Sequence, residues 1–486
     1  MSQWGIGLGG DELRLNELWK NIIAGNAGIS ERQFLQREIQ DFMVSKGRKD
    51  ILNGRRYYLG DHDILKKRRT AIAENGVQID LPNLPNNRIV DNKFDDLVDQ
   101  KVNYLLANPL EVRSDVEELD TVFNRAFHRK LNNIAKDTFI GGRGYLYPYF
   151  DLNGKLQFKR LKPENVLPFW HDEEHEQLDA FIYLYDMEVY GVGGMKEIQT
   201  FVEFYTKDKV SYYKYYNGTL TPNLERADDM YINVDGVAYS WGQVPLICFK
   251  GNDVEQPLIC RVKCLQDALN AMYSSFADNM EEDVHNTILV IKNYDGEDLA
   301  QFRRNLATFG AVKVRTVDGV DGGVDTLTVD VNSSNYEFIM KALKTSIIEN
   351  GRGFDSKDDR MSNNPNQMNI MSMYSDIDLD ANQMEMQFQA SLEKLIEFVN
   401  VALNLKGKTP INNIEFIFNR NTPVNEADTI NNCKNSVGII STETIIANHP
   451  WTINTDEELE KLKEERDEQM QLIDYVTQPQ GGEVDE

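Results

Sequence analysis

The sequence predicts an α+β protein divided into several domains, on three observations. A chain of 486 residues is long enough to bury two to four separate cores. Its apolar spacing is helical at first, switches to a period of two at Tyr145, and returns to helical spacing at Pro257. With 41% hydrophobic and 10% aromatic residues the composition is that of a folded chain rather than a disordered one.

Residues 1–29 are rich in Gly and Asn, and "GIGLGG" precedes rather than follows any strand, so an arm is expected there. Ser30 then stands as an N-cap before "ERQFLQREIQDFMVSK", whose apolar positions Phe34, Ile39, Phe42 and Met43 predict a helix. From Asn86, "NNRIVDNKFDDLVDQKVNYLLANPLEV" sets Ile89, Phe94, Leu97, Val98, Lys101 and Leu105 largely on one helical face and stops at Asn108–Pro109. Between Tyr145 and Lys250 the runs "YLYPYF", "LQFKRL", "DAFIYLYD", "IQTFVEFYT" and "VSYYKYY" alternate with turn residues, and Asn153–Gly154 and Asn217–Gly218 are hairpin signals. This half reads as antiparallel β.

From Pro257, Leu258, Val262, Leu265, Leu269, Met272, Phe276 and Met280 recur at helical spacing, predicting a helix about 40 Å long that ends near Asp283. A compact α/β insertion follows: strand "TILVIKN", helix "EDLAQFRRNLATF", strand "AVKVRTV", a Gly/Asp turn "DGVDGGVD" and strand "TLTVDV". The helix "SNYEFIMKALKTSIIEN" then runs to Gly351, and the polar stretch "KDDRMSNNPNQMN" leads into the longest helical pattern in the chain. In that pattern, expected over Gln367–Leu405, Ile377, Ala381, Met384, Phe388, Leu392, Leu395, Val399 and Ala402 form a heptad-like seam. A short strand "NNIEFIFNR", two helices within "NEADTINNCKNSVGIISTETIIANHPW", and an acidic helix fading into a tail complete the chain; from Asp456 onward twelve acids face three bases.

A formal charge of −26 argues against a protein that grips phosphates tightly through a basic face. No apolar run reaches the roughly eighteen residues of a membrane span, and "MSQWGIGLGGDELRL" lacks the features of a signal peptide, so a cytosolic protein is expected. Cys248, Cys260, Cys264 and Cys433 are too few and too unevenly spaced for a disulfide framework, and buried thiols are expected.

Several motifs read better as structure than as chemistry. "KGKTP" at Lys406 follows a helix rather than a strand and has Ala402 where a phosphate-binding loop needs glycine. Asp376, Asp378 and Asp380 resemble the opening of a calcium loop, but Ala381 and Gln387 occupy its glycine and glutamate positions, and a solvated helix face is expected. "HDEEH" at 171–175 has metal-ligating residue types without a third clustered histidine, and reads as a surface loop. Cys260 and Cys264, one turn apart, read as packing. No Ser-His-Asp, Cys-His or paired-acid set is legible, and no cofactor or metal is expected.

Four segments stand out in order along the chain: "RRYYLGDHDILKKRR" (55–69), "NNRIVDNKFDDLVDQKVNYLLANPLEV" (86–112), "GRGYLYPYF…LKPENVLPFW" (142–170) and "RVKCLQDALNAMYSSFADNMEE" (261–282). Together they resemble the portal proteins of tailed double-stranded DNA bacteriophages, in the branch found in long-tailed phages of Gram-positive hosts. The resemblance spans most of the chain and implies a homo-oligomeric ring, usually of twelve subunits, at one vertex of the virion capsid, assembled in the host cytoplasm. Double-stranded DNA would pass through it during packaging and ejection. It further implies a β-rich wing (30–256), a stem helix (257–283), a small α/β clip (284–334), a second stem helix (335–350), a tunnel loop (351–366), a long wing helix with its return strand (367–424) and a helical crown (425–475); the arm (1–29) and the acidic tail (476–486), read from composition, have no counterpart in it.

On that resemblance the polar stretch would line the channel, with Lys357, Arg360, Asn363, Asn364, Asn366 and Gln367 facing the moving duplex. Amides make short-lived hydrogen bonds to phosphate oxygens, whereas a ring of many cations would hold the DNA like a brake. Without the resemblance, the same stretch reads as a mobile surface connection. The terminase large subunit would dock at the clip, making Lys292, Arg303, Arg304, Lys313 and Arg315 candidate contacts by position. Scaffolding protein, major capsid protein and a head-completion adaptor are the other implied partners, and no membrane is implied. Two alternatives remain: a metal-dependent DNA-processing enzyme using Asp376, Asp378 and Asp380, and a ring-forming tail adaptor, which should lack the long helix pair.

Overall fold

The computed structural model describes residues 28–285, 288–292, 323–327, 333–355, 367–420, 426–452 and 455–477, apart from short gaps at 73–76, 83, 115, 117–118, 152, 192–193, 227 and 235–236. The chain mixes helix and sheet, as the periodicity predicts, and packs as two compact units. One is built from the chain up to Gly353 with Asp380–Asn419, the other from Phe354–Leu379 with the chain from Arg420 onward.

In the first unit, helix α1 (Glu31–Val44) starts as predicted at Ser30, where a capping box satisfies the first free backbone amides. Phe34, Leu35 and Ile39 are buried, whereas Met43, assigned to the same face by spacing, is exposed. Helix α2 (Lys46–Tyr58) follows after a one-residue corner. It packs so closely on helix α5 (Arg125–Gly141) that a Cβ at Gly54 would lie 2.3 Å from the Ile140 carbonyl oxygen. Between them come strands β1 (Thr70–Ile72) and β2 (Gln78–Asp80), helix α3 (Lys93–Leu106), strand β3 (Glu111–Ser114) and the short α4 (Leu119–Val122). Helix α3 begins later than the pattern from Asn86 suggests, because Asn92 caps it by accepting from Asp95 N. Ile89 is therefore outside the helix, while Phe94, Leu97, Val98, Lys101 and Leu105 form its buried face.

The β half contains β4 (Arg143–Phe150), β5 (Leu156–Leu161), β6 (Val166–Trp170), β7 (Leu178–Tyr190), β8 (Lys196–Tyr205), β9 (Val210–Tyr216), β10 (Thr219–Pro222), β11 (Ile232–Val234), β12 (Val237–Tyr239) and β13 (Ile247–Lys250). Every pairing among them is antiparallel, in a five-stranded sheet ordered β10-β9-β8-β7-β6, a three-stranded sheet ordered β13-β4-β5 and the hairpin β11-β12. Both sequence-predicted hairpins form: Gly154 has φ +68°, and Asn217 and Gly218 have φ +46° and +77°, the left-handed pair a type I′ turn requires. The α1 face packs Phe34, Leu35 and Ile39 against Phe169, Ala180, Ile182, Val202 and Phe204 of the larger sheet. A second core joins Phe181, Tyr205 and Val210 of that sheet to Tyr145 and Leu161 of the smaller one.

Helix α6 (Ile259–His285), strands β14 (Ile288–Lys292) and β15 (Gly323–Leu327), and helix α7 (Ser333–Asn350) follow in order. Strand β15 starts inside the stretch read from sequence as a Gly/Asp turn. Its backbone is claimed by β14, in a register running from Lys292↔Gly323 to Ile288↔Leu327, and pairing there overrides the turn preference of its residues. The helix and strand expected over 297–317 lie outside the described residues.

Helix α8 spans Gln367–Leu405 as predicted, and all eight seam residues from Ile377 to Ala402 are buried. Lys408 N donates to Leu403 O at 3.0 Å and Gly407 adopts φ +68°, so "KGK" is the cap of this helix rather than a phosphate loop. Strand β16 (Ile414–Ile417) pairs with β3. In the second unit, Phe354 stacks on Tyr374, Arg420 pairs with Asp378, and helices α9 (Glu426–Asn435), α10 (Thr442–Ala447) and α11 (Thr455–Thr477) follow. Cys433 is buried and Cys248 half-buried, but Cys260 and Cys264 are exposed, contrary to expectation, because α6 turns Val262, Gln266 and Leu269 inward instead. Among the described residues no helix is long and apolar enough to cross a membrane.

Candidate functional site

The apolar seam read on α6 holds only for its first half. Leu258, Val262 and Leu269 are buried, but Met280 is exposed, and the buried positions at 266 and beyond Leu269 are polar: Gln266, Asn270, Ser274 and Asp278. These four sit four residues apart, on one stripe of the helix. They accept from alternate backbone amides of the extended segment before α3: Lys93 N to Gln266 at 2.9 Å, Asp91 N to Asn270 at 3.0 Å, Ile89 N to Ser274 at 2.9 Å and Asn87 N to Asp278 at 2.6 Å. Four helical residues rise about 6.0 Å and two extended residues about 6.6 Å, so the two repeats stay in step over the whole ladder. A helix face that would otherwise be a core stripe thus acts as the partner strand for a segment that has no sheet.

The first segment of the resemblance, 55–69, meets the same stripe. His62 is fully buried, stacks on Tyr57 at 4.3 Å, and is pulled by burial below its ordinary pKa, hence neutral. Its Nε2 lies 3.1 Å from Tyr57 O and its Nδ1 2.8 Å from the Asn270 amide nitrogen. The tautomer that satisfies both has Nε2–H donating to Tyr57 O and Nδ1 accepting from Asn270. Lys67 donates to Asp278 at 2.6 Å, and Lys263 bridges Asp63 and Asp267 at 2.6 and 2.7 Å. Burial alone would raise the Asp278 pKa; Lys67 and Asn87 outweigh it and hold the carboxyl below its usual range.

Helix α7 runs antiparallel beside α6, with Lys344 over the Tyr273 ring and Tyr336 against Phe276 at 5.1 Å and Asn279 at 2.8 Å. It closes at Gly351–Gly353 against Leu97, with Arg352 in the left-handed region at φ +49°. Lys101, 2% exposed, donates to Arg352 O at 2.9 Å and to Asp380 Oδ2 at 2.7 Å, and Arg352 Nη1 donates to Asp380 Oδ1 at 2.7 Å. One buried ammonium therefore holds both chain segments that flank 356–366. Burial, with Arg261 and Arg352 nearby, pulls the Lys101 pKa down even beside Asp380. Asp380 goes below the usual carboxylate range, because Lys101 and Arg352 outweigh the burial that would raise it.

A second buried ion cluster lies ahead of α6. Glu255 meets Arg143 at 2.6 Å, His175 at 2.7 Å and Lys250 at 3.3 Å; burial opposes its charge, but Arg143 and its companions bring its pKa down to about 2. Gly142 makes this possible, since at φ +78° it brings its Cα against the Glu255 carbonyl where any Cβ would lie 1.9 Å from the oxygen.

The sequence-predicted site residues fare unevenly. Lys357, Arg360, Asn363, Asn364 and Asn366 lie outside the described residues, as do Arg303, Arg304, Lys313 and Arg315. Gln367 opens α8, and Lys292 ends β14 opposite Gly323. The aspartates 376, 378 and 380 were expected on one solvated face, but Asp380 is buried and paired with Lys101 and Arg352, and Asp378 is paired with Arg420, because the seam of α8 carries Asp380 inward with Ala381. His175 is likewise no free loop residue, being stacked on Trp170 and bonded to Glu255. Among the described residues no three His, Cys, Asp or Glu side chains gather where they could hold a metal. The polar ladder went unread, although the recurrence of Gln266, Asn270, Ser274 and Asp278 every four residues was its signal.

The buried polar groups of this region fix register between chain segments distant in sequence. The chain belongs to the phage portal proteins: residues 45–472 match the family model described as "Phage portal protein, SPP1 Gp6-like". The portal protein of Clostridium phage phiCD119 is 27% identical over 85% of this chain and 92% of its own length, and that of Bacillus phage SPP1 is 26% identical over 92% and 90%. A chain from the virion of a native gene transfer agent particle matches at 12% identity and TM-score 0.38, covering 72% of this chain and 87% of that one.

Proposed function

We propose that the chain works as the channel of a phage particle: a ring, of twelve subunits, at one capsid vertex, through which double-stranded DNA is packaged and ejected. Membership of the portal family over residues 45–472 is the observation that carries this reading. Helices α6 and α7, lying antiparallel on either side of β14 and β15 in the chain, are the stem, and the segment 284–334 between them is the clip. The crown is 425–475, the wing the β-rich region before α6 together with α8. The channel contributes no bond-breaking chemistry of its own; a separate ATPase, the terminase large subunit, drives DNA through it, docking at the clip through Lys292, Arg303, Arg304, Lys313 and Arg315. Scaffolding protein, major capsid protein and a head-completion adaptor meet the ring elsewhere, and assembly takes place in the host cytoplasm.

Lys357, Arg360, Asn363, Asn364, Asn366 and Gln367 form the collar against the duplex. The Lys101–Asp380–Arg352 cluster supports this role, since it ties Arg352, ahead of the loop in the chain, to Asp380 on the helix that follows it. Deleting 360–366 should leave rings assembling while DNA filling of capsids fails. Normal filling by the deletion variant would refute the loop's role.

A further inference from the structure

We infer that an acidic cleft beside the larger sheet receives a second copy of this chain, which offers it the basic corner between α1 and α2. The inference rests on the ring reading above and gives it an interface. The cleft, about 980 Å³, lies among the end of β6, the start of β7, β13 and α8. Glu173, Glu174, Glu176, Glu393 and Glu397 line it; all five are exposed, and none makes an ion pair or side-chain hydrogen bond among the described residues. Lys250 and Lys394, also in the lining, are engaged with the carbonyls of Glu174 and Glu176, leaving Lys207 as the remaining lysine.

Acids alone would be ordinary solvated surface. Trp170 is an independent sign of a ligand. It lines the same cleft, is 5% exposed, and its indole N–H has no acceptor in the structure. A buried donor left unmade costs about 1–3 kcal/mol, which a carbonyl on the occupant would recover. The occupant therefore brings cations and an accessible carbonyl oxygen, which is the chemistry of a basic polypeptide segment.

Charge selects the second copy. Chains of net charge −26 repel one another, so adjacent subunits need a contact where opposite signs meet. Residues 43–49, "MVSKGRK", hold Lys46, Arg48 and Lys49 and no acid; Lys46 and Lys49 are exposed, and Val44, 64% exposed, adds an apolar contact. Helix α1 covers the sheet face that carries Phe169 and Ile182; the register shifts between Phe169 and Trp170, and Trp170 lines the cleft with Leu178, Val244 and Leu246, which pack in the core on the other face. Corner and cleft thus belong to opposite faces of one sheet, the arrangement a head-to-tail contact needs in order to close a ring.

The test uses the full-length protein, with particle mass and negative-stain images at matched concentration and circular dichroism to confirm folding. The Glu393→Lys/Glu397→Lys variant should need at least tenfold more protein than wild type to form rings, and Trp170→Phe, which removes the donor together with the five-membered ring of the indole, a few-fold more. Adding Lys46→Glu/Lys49→Glu to the lysine variant should restore rings, whereas the corner substitutions alone should abolish them. Rings from Glu393→Lys/Glu397→Lys at the wild-type concentration would overturn the cleft while leaving the ring reading intact. Loss without rescue by the corner substitutions would overturn the occupant, and a wild-type protein that never forms rings would overturn the reading beneath both.

Discussion

Replacing Lys101 with Met asks the most of the structure. The ammonium is 2% exposed and divides its donors between Asp380 Oδ2 and the Arg352 carbonyl, at 2.7 and 2.9 Å. Removing one partner of a buried pair costs about 3–5 kcal/mol, because the other charge is left without compensation. Here Arg352 stays on the second carboxylate oxygen, which favours the lower end, while the orphaned carbonyl adds about 1 kcal/mol. The expected loss is about 3–4 kcal/mol, a fall of between a hundred- and a thousandfold in the folded-to-unfolded ratio. Urea unfolding followed by tryptophan fluorescence measures it, and amide exchange should accelerate first at 351–353. Adding Asp380→Leu should recover part of the loss, since an apolar pair replaces a stranded charge. A cost below about 1 kcal/mol for Lys101→Met, or a double variant whose loss equals the sum of the singles, would refute the reasoning.

The ladder on α6 gives a second prediction: Asn270→Leu strands the Asp91 amide and the His62 ring, and should cost about 2 kcal/mol by the same unfolding assay, whereas exposed Cys264→Ser on the same helix should cost little. The third concerns pH. Glu255 ionises near pH 4.5 when unfolded and near 2 when folded, so its contribution is present above about 4.5 and disappears as pH falls toward 2. Glu255→Gln should therefore be less stable than wild type at neutral pH, and the gap should close across that acid window; a gap that persists unchanged at pH 2 would contradict the assignment.

Much of this fold was legible because periodicity survives where side chains alone decide packing. The eight residues of the α8 seam, the Ser30 cap and the Asn217–Gly218 turn each sit where spacing put them, since apolar burial and left-handed backbone are properties of the residues themselves. What was missed depends on partners distant in sequence. Asp380 looked solvated because its cations, Lys101 and Arg352, come from other elements, and α6 looked apolar throughout because the amides that bury its polar stripe belong to residues 87–93. Likewise β15 owes its start at Gly323 to the register of β14, not to its own composition. Of the site, Lys101 was already on the buried face of its helix by spacing, but its pairing with Arg352 and Asp380 required the fold.

Imaging the purified full-length protein tests the central claim most directly. The account predicts annular particles whose central opening passes a double helix, with α6 and α7 of each subunit side by side around it. A compact monomer at every concentration, with neither rings nor a central opening, would contradict it.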